Sequence, residues 1–486
     1  AMTAARVIDC AGATLLPGLH DHHIHLPAYA ASLRQVDCGP SSATSIAGIQ
    51  RLIGQRAAAT PAGQWVRGRG YDEFYLTEGH HPTRHDLDAA APAHPVRLDH
   101  RSGHAGVLNS MALERVSIGP DTPDPPEGVI ERNERGVPTG VLYEMGAWLG
   151  RRMHEEADPQ AQREAIAQAS LRLLSWGVTS LTDATPENDL SRWVALRTYQ
   201  ADGIIKQRVT LMPGIRRLHD FVDAGFGFGG GDAMLRLGHA KIVVTLTTGG
   251  LHPSKPELRD LVAEAYRLGF PVAVHAVEEE AILSVLSLLR ILKPMAAASA
   301  SLPACPFAHL PVLHRIEHCS EATHAVQALL KETGVAVCAN PAFLYESGAR
   351  YRATVPPATL PWLHPLRSLW DAGVPLLAGS DAPVASPNPW HGVYAALTRC
   401  DAGGQPLHPE QGITLEEALA MFACKGASGH AGRERAFGHS AIRAGDRADL
   451  AVLDRDLTQA RVEELAQVQA VAALVGGEVL WESSRD

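Results

Sequence analysis

The chain has seven cysteines, Cys10, Cys38, Cys305, Cys319, Cys338, Cys400 and Cys424, and no two of them are spaced C-x-x-C. An odd, scattered set in a chain of 486 residues argues against a disulfide framework and fits a reducing compartment, so a cytoplasmic location is expected. No secretory leader precedes Arg6, in keeping with that expectation. No apolar run approaches the roughly 20 residues that a bilayer span requires. Positive charge is in deficit, 43 Lys and Arg against 53 Asp and Glu for a net charge of -10. Nucleic acid and anionic membrane surfaces are therefore poor partners. A small-molecule substrate is the expected partner, and a homo-oligomer is compatible with the composition. There is no internal repeat. There is no shortage of core material either: 45% hydrophobic and 20% charged residues describe an ordinary globular chain and exclude a disordered one.

What is abundant is histidine, with 24 copies. Histidine is the commonest metal ligand and a frequent proton carrier, so its placement matters. From residue 158 onward short apolar strands alternate with helical patterns. Strands are predicted at 178–183, 208–212, 241–246, 272–276, 314–318, 335–339 and 375–378. Helices are predicted over 159–176, 255–268, 321–333 and 365–372, each followed by a glycine. Such alternation predicts a parallel sheet with helical crossovers. With a further strand at 14–16 the count reaches eight, the number that closes a TIM-type (β/α)8 barrel. A doubly wound open sheet is the alternative, but no GxGxxG turn follows the first strand, against a dinucleotide-binding version. The stretch 294–311, rich in Ala, Ser and Pro, reads as a loop.

Ligand-type residues stand at the predicted strand ends, where barrel active sites lie. After Pro17-Gly18 comes a run containing His20, His22, His23 and His25. Residues two apart on an extended segment face the same way, so His23 and His25 can grip one ion, while His20 and His22 take packing or supporting roles. His275, His318 and Asp381 each end a further apolar run. One such residue would read as a core histidine or a polar loop; together they predict a shared metal site. Lys241 opens the fourth predicted strand. Its amine can take up carbon dioxide to form a carbamate, an oxygen ligand able to bridge two ions. Imidazole and oxygen donors together suit zinc, manganese or iron. By strand alternation the side chain of Glu317 should face away from the site, and Asp183 is the competing carboxylate to Asp381 as proton carrier.

At this point the chain resembles the amidohydrolase superfamily, and within it amidohydrolase family 3, the branch with YtcJ-like proteins and N-substituted formamide deformylases. The resemblance covers essentially the whole chain. It rests on Pro17-Gly18 before the His23-x-His25 pair, the segment from Pro82 to Asp88, Arg101-Ser102-Gly103-His104 with the segment from Asn109 to Leu113, and the segment from Gly136 to Gly140. Further on it rests on Gly177 to Ser180, His314 to His318, Gly379 to Pro383 and Gly445 to Leu450. It implies that His23, His25 and Asp381 hold a first ion, that His275 and His318 hold a second, and that carbamylated Lys241 bridges them, with zinc the first choice and one or two ions per chain. It also implies that Asp381 handles the proton of the attacking water. The chain departs from the family where Thr245 replaces an aspartate, where Glu278, Glu279 and Glu280 replace a Gly-Asp-Arg pattern, and where a Gly-x-x-Arg pattern is missing from 355–363. These departures leave the ligand set complete and bear on specificity.

The organisation expected is a small β-sandwich from residues 1–13 and 440–486, partly missing at its start, with 447–454 and 471–480 pairing to 6–9. The barrel is expected from 14–25 and 157–439, and an insertion subdomain from 26–156 capping the active site. Tyr71, Arg101 and His104 in that insertion are candidate substrate-binding residues, with a structural network as their other reading. The activity expected is metal-dependent hydrolysis of a non-peptide amide or similar C–N bond of a small molecule. The alternatives are ester or lactone hydrolysis or decarboxylation on the same site, or a non-catalytic metal- or ligand-binding homologue.

Overall fold

A computed structural model describes residues 10, 12–126, 128–153, 158–246, 249–298, 314–423, 442 and 445–483. The chain divides into two compact units, one of Ala1–Leu26, Ile166–Leu246 and Pro253–Asp486, the other of Pro27–Ala165 and Thr247–His252.

Among the described residues the first unit holds three sheets. In chain order its strands are β1 (Leu15–Pro17), β2 (Leu19–Ile24), β3 (Val178–Asp183), β4 (Arg208–Leu211), β5 (Leu235–Leu237), β6 (Ala240–Val243), β7 (Val272–Ala276), β8 (Arg315–His318), β9 (Ala336–Ala339), β10 (Leu376–Ala378), β11 (Leu450–Leu453), β12 (Ala470–Val475) and β13 (Glu478–Glu482). One parallel sheet runs β5-β4-β3-β2 and another β6-β7-β8-β9-β10. A backbone bond from Lys241 N to Pro213 O (2.8 Å) joins β6 to the segment after β4 at one side. At the other side Asp381 N donates to His23 O (2.7 Å) and His25 N to Ala382 O (3.0 Å). Strands β3 and β9 are buried along their whole length, and the all-apolar sequence of β9, AVCA, suits a strand covered on both faces.

The crossover helices start and stop as their sequences dictate. Lys255–Arg267 begins at a capping box between Ser254 and Glu257, which satisfies two otherwise orphaned amides. His324–Thr333 begins at Thr323, whose side chain accepts from Val326 N, and ends at Gly334 with φ 72°, a left-handed stop that glycine adopts without strain. The helix Glu279–Ala298 carries on into the stretch read as a loop at 294–311; residues 299–313 lie outside the described ones.

One strand assignment is corrected. The segment 14–16, read as the first barrel strand, belongs instead to a four-stranded antiparallel sheet, β1-β11-β12-β13. The strand that carries the histidines is β2, after the break at Pro17-Gly18. Gly18 is there for space: a Cβ at this position would lie 2.0 Å from Thr179 Oγ1. The expected partner strand at 6–9 lies outside the described residues.

The second unit contains a six-stranded sheet, in the order Val36–Asp37, Val66–Tyr71, Val96–His100, Ala105–Leu108, Pro138–Tyr143 and Val129–Arg132. Its first three strands are parallel and the rest antiparallel. Ile49, Ile53, Leu87, Val96, Leu98 and Val107 form its core. Among the described residues no helix is long and apolar enough to cross a membrane.

Candidate metal centre

All six residues of β2, Leu19–Ile24, are buried although four are His or Asp. Most of their side-chain polar atoms are tied down, His22 Nδ1 excepted. His20 Nε2 meets Thr182 Oγ1 at 2.8 Å and its Nδ1 meets Ser180 Oγ at 2.9 Å. His22 Nε2 meets Ala423 O at 3.3 Å. Asp21 accepts from Ser380 N (2.9 Å), from Ser380 Oγ (2.6 Å) and from His23 N (3.2 Å), which pins the segment after β10 to β2. Burial pushes the Asp21 carboxyl up to about 6, against the pull of the two Ser380 bonds.

His23 and His25 stand on the other parity. His23 Nε2 lies 3.4 Å from Asp381 Oδ1 and His25 Nε2 lies 3.0 Å from the same oxygen; these three residues form one group whose ligand-type atoms all fall within 4.8 Å of one another. Lys241 Nζ, 2% exposed on β6, is 3.5 Å from His23 Nε2. The ring of His318 packs 5.0 Å from that of His23 and 4.5 Å from that of His275, centroid to centroid. The sequence-predicted ligands His23, His25, Lys241, His275, His318 and Asp381 are thus joined through direct side-chain approaches in one cluster. His318 and Asp381 take left-handed φ values of 71° and 58°, which cost non-glycine residues free energy and are found where function demands a particular side-chain direction.

The electrostatics suit a cation. Burial would raise the Asp381 carboxyl, but the His25 bond and the neighbouring His318 and His23 outweigh it, holding the group well below the ordinary carboxylate range. Burial lowers His23 to about 3, with Lys241 adding to the effect. Burial likewise lowers His318 and the Lys241 amine. Neutral imidazoles, an ionised carboxylate and an amine disposed to be uncharged make a donor set that fits a divalent ion of the zinc type.

Sequence reasoning misplaced Glu317. It was expected to face away, but it is fully buried and its Oε2 meets His23 Nδ1. The left-handed turn at His318 breaks the two-residue alternation, so Glu317 and His318 both reach the cluster. Arg315 grips Glu317 through two bonds, Nε to Oε1 (2.6 Å) and Nη2 to Oε2 (2.8 Å). Arg315 and Asn340, which meets His318 Nδ1 at 2.7 Å, were also missed. The i, i+2 spacing of Arg315 and Glu317 was the available signal; Asn340 had none. Asp183, the rival carboxylate, is fully taken up by Leu26 N, Thr185 N and Asn188 Nδ2.

The candidate substrate residues lie in the second unit. Tyr71 is fully buried, with its hydroxyl 3.0 Å from His81 Nδ1. Arg101 N donates to Tyr71 O at 3.0 Å, and its guanidinium is 3.9 Å from Asp72. His104, half exposed, pairs with Glu144 at 3.0 Å.

The family model for the amidohydrolase family matches residues 6–481. N-substituted formamide deformylase of Arthrobacter pascens is 30% identical over 524 aligned positions, covering 98% of this chain and 90% of that protein. Putative amidohydrolase YtcJ of Bacillus subtilis (strain 168) is 25% identical with the same coverages. An uncharacterized metal-dependent hydrolase from Pyrococcus horikoshii OT3 superposes with a TM-score of 0.64 at 22% identity, over 86% of this chain and 82% of that one, a likeness of fold. The chain belongs to the amidohydrolase family and is a hydrolase acting on carbon–nitrogen bonds other than peptide bonds.

Proposed function

We propose that this enzyme hydrolyses a non-peptide amide of a small molecule, with N-substituted formamides the first class to test, at a zinc centre held by His23, His25, Lys241, His275, His318 and Asp381. The proposal includes a closed eight-stranded barrel, in which β5 and β6 serve as one interrupted strand and β10 meets β2. The carrying observation is the convergence of His23 Nε2, His25 Nε2 and Asp381 Oδ1, with Lys241 Nζ beside them.

When bound, divalent ions lower the pKa of water toward neutrality and polarise a carbonyl. The chain's own part is to hold and move a proton. Asp381, kept ionised in a buried setting, accepts the proton of the attacking water on a carboxylate oxygen and returns it to the leaving nitrogen, base first and acid second. Lys241 supplies an uncharged amine that adds carbon dioxide, releases a proton and becomes an anionic oxygen ligand. Its burial supports this by disfavouring the ammonium form. Asp21 and Ser380 hold the Asp381 segment against β2, so that base and ligands keep a fixed separation.

The test is a panel of formamides, other amides, esters, lactones and carboxylic acids assayed with the zinc-loaded protein. Turnover of formamides or amides, with amine release, is expected. Turnover of esters or acids alone would move the chemistry elsewhere on the same site, and metal binding with no turnover across the panel would overturn the enzymatic reading.

A further inference from the structure

We infer that Glu317 and Asn340 are positioning residues that fix the tautomers of His23 and His318, so that both rings present an unprotonated Nε2 to the cluster before any ion arrives. This rests on the reading of His23 and His318 as metal ligands. A neutral imidazole carries its proton on one nitrogen only, and the hydrogen bond made by the other side decides which. Arg315 has only donors to offer, and it gives two of them to Glu317 and one to His22 O at 2.8 Å. Glu317 Oε2 is an acceptor, so the His23 nitrogen against it must be Nδ1–H. The lone pair of His23 is then on Nε2, the atom 3.4 Å from Asp381 Oδ1 and 3.5 Å from Lys241 Nζ.

Asn340 does the same for His318. Its Nδ2 donates to Gly379 O at 2.9 Å. A carbonyl oxygen can only accept, so the amide has one permitted orientation and Oδ1 is the end that faces His318 Nδ1 at 2.7 Å. That contact again requires Nδ1–H and leaves Nε2 open. The arrangement is not a general habit of buried histidines here. In the second unit His100 approaches Glu73 Oε2 at 2.9 Å through Nε2, in a group with Asp72 of similar composition. There Ser102 N donates to His100 Nδ1 at 3.1 Å, which puts the proton on Nε2, the wrong side for coordination.

A fully buried Arg–Glu pair is also a poor device for stability alone, because both ions lose their water. Arg315 is 4% exposed and Glu317 is not exposed at all. The pair earns its place by aiming His23, as carboxylates behind metal-bound histidines do.

The experiment uses the full chain, freed of metal, with zinc as the probe. Glu317→Gln offers one oxygen and one amide to three donors. Its amide must therefore face Arg315 or displace the proton of His23 onto Nε2. Zinc affinity, measured by competition with a chromophoric chelator, should fall on the order of 10–100-fold. Histidine-ring 15N spectra of the metal-free protein should show Nδ1–H at His23 in the wild type and a smaller share of that tautomer in the variant. In case Glu317→Gln does not fold, Asn340→Leu should lower zinc affinity by a similar factor and reduce the Nδ1–H signal of His318. Folded variants with wild-type zinc affinity, or wild-type rings protonated at Nε2, would overturn the inference. Failure of the wild type itself to bind zinc would instead overturn the metal reading on which it rests.

Discussion

Gly379→Ala is a small change with a large expected effect, because there is no room for a methyl group. A Cβ on Gly379 would lie 2.5 Å from His23 Cβ, 2.6 Å from His23 N and 2.9 Å from His23 Cα. None of these atoms can rotate away, since all three belong to the backbone or to its first side-chain carbon. To reach 3.4 Å, where contact becomes ordinary, the two segments must part by about 1 Å, the deficit left by the 2.5 Å approach. They are lashed together by Asp381 N to His23 O at 2.7 Å and His25 N to Ala382 O at 3.0 Å. Overpacking of this kind costs about 1–3 kcal/mol, and weakening two backbone bonds adds about 0.5–1.5 kcal/mol each. At about 1 °C per kcal/mol for a chain of 486 residues, the melting temperature should drop by a few degrees. A shift of about 1 Å between His23 and Asp381 should also lower turnover roughly 100-fold. The assay is thermal unfolding beside zinc content and rate on one confirmed substrate. Wild-type values for all three in Gly379→Ala would refute the close approach of these segments.

Asp381→Asn keeps shape and one oxygen but removes the base; it should fold, retain at least one ion and lose roughly 100–10,000-fold in rate, checked by metal analysis and kinetics together. Lys241→Ala should lower metal content, with short added carboxylates restoring part of the activity and a 13C-bicarbonate carbamate signal lost; unchanged metal content would refute the bridging role. Asp449 ties β4 to the segment before β11 through Arg208, at 2.8 and 3.0 Å, and through Gly476 N at 2.7 Å. Burial would raise its carboxyl, but the Arg208 and Gly476 bonds outweigh it and hold the group below its ordinary value. A carboxylate depressed in the folded state contributes stability that is present above its unfolded pKa near 3.9 and is lost as pH falls through the lower folded value. Asp449→Asn should therefore cost about 2 kcal/mol at neutral pH and progressively less in acid, measured by denaturant unfolding across pH 2–7; a pH-independent difference would refute the charge-based account.

The strand ends were legible because apolar runs that stop at His275 and His318 leave few other readings, and the structure has β7 and β8 within one residue of expectation. The first strand was not legible for the opposite reason. Leu19–Ile24 is polar by composition, and His and Asp are seldom buried together. Only distant partners, Thr182, Ser180 and Ser380, make their burial tolerable, and no local pattern announces them. The apolar residues just before Pro17-Gly18 look more like a barrel strand than Leu19–Ile24 does. Glu317 was lost to a rule that holds only while the backbone stays extended; the positive φ of His318 ends the alternation one residue early. Asn340 follows β9 directly, and its role depends wholly on Gly379 and His318 lying alongside.

The central claim is that an ion sits where His23, His25 and Asp381 converge. Anomalous diffraction at the zinc edge from crystals of the metal-loaded chain tests it most directly. A peak about 2.0–2.2 Å from His23 Nε2, His25 Nε2 and an Asp381 oxygen is the expected result. Zinc found instead at Asp72, Glu73 and His100, or no peak among the three predicted ligands in a zinc-loaded crystal, would contradict it.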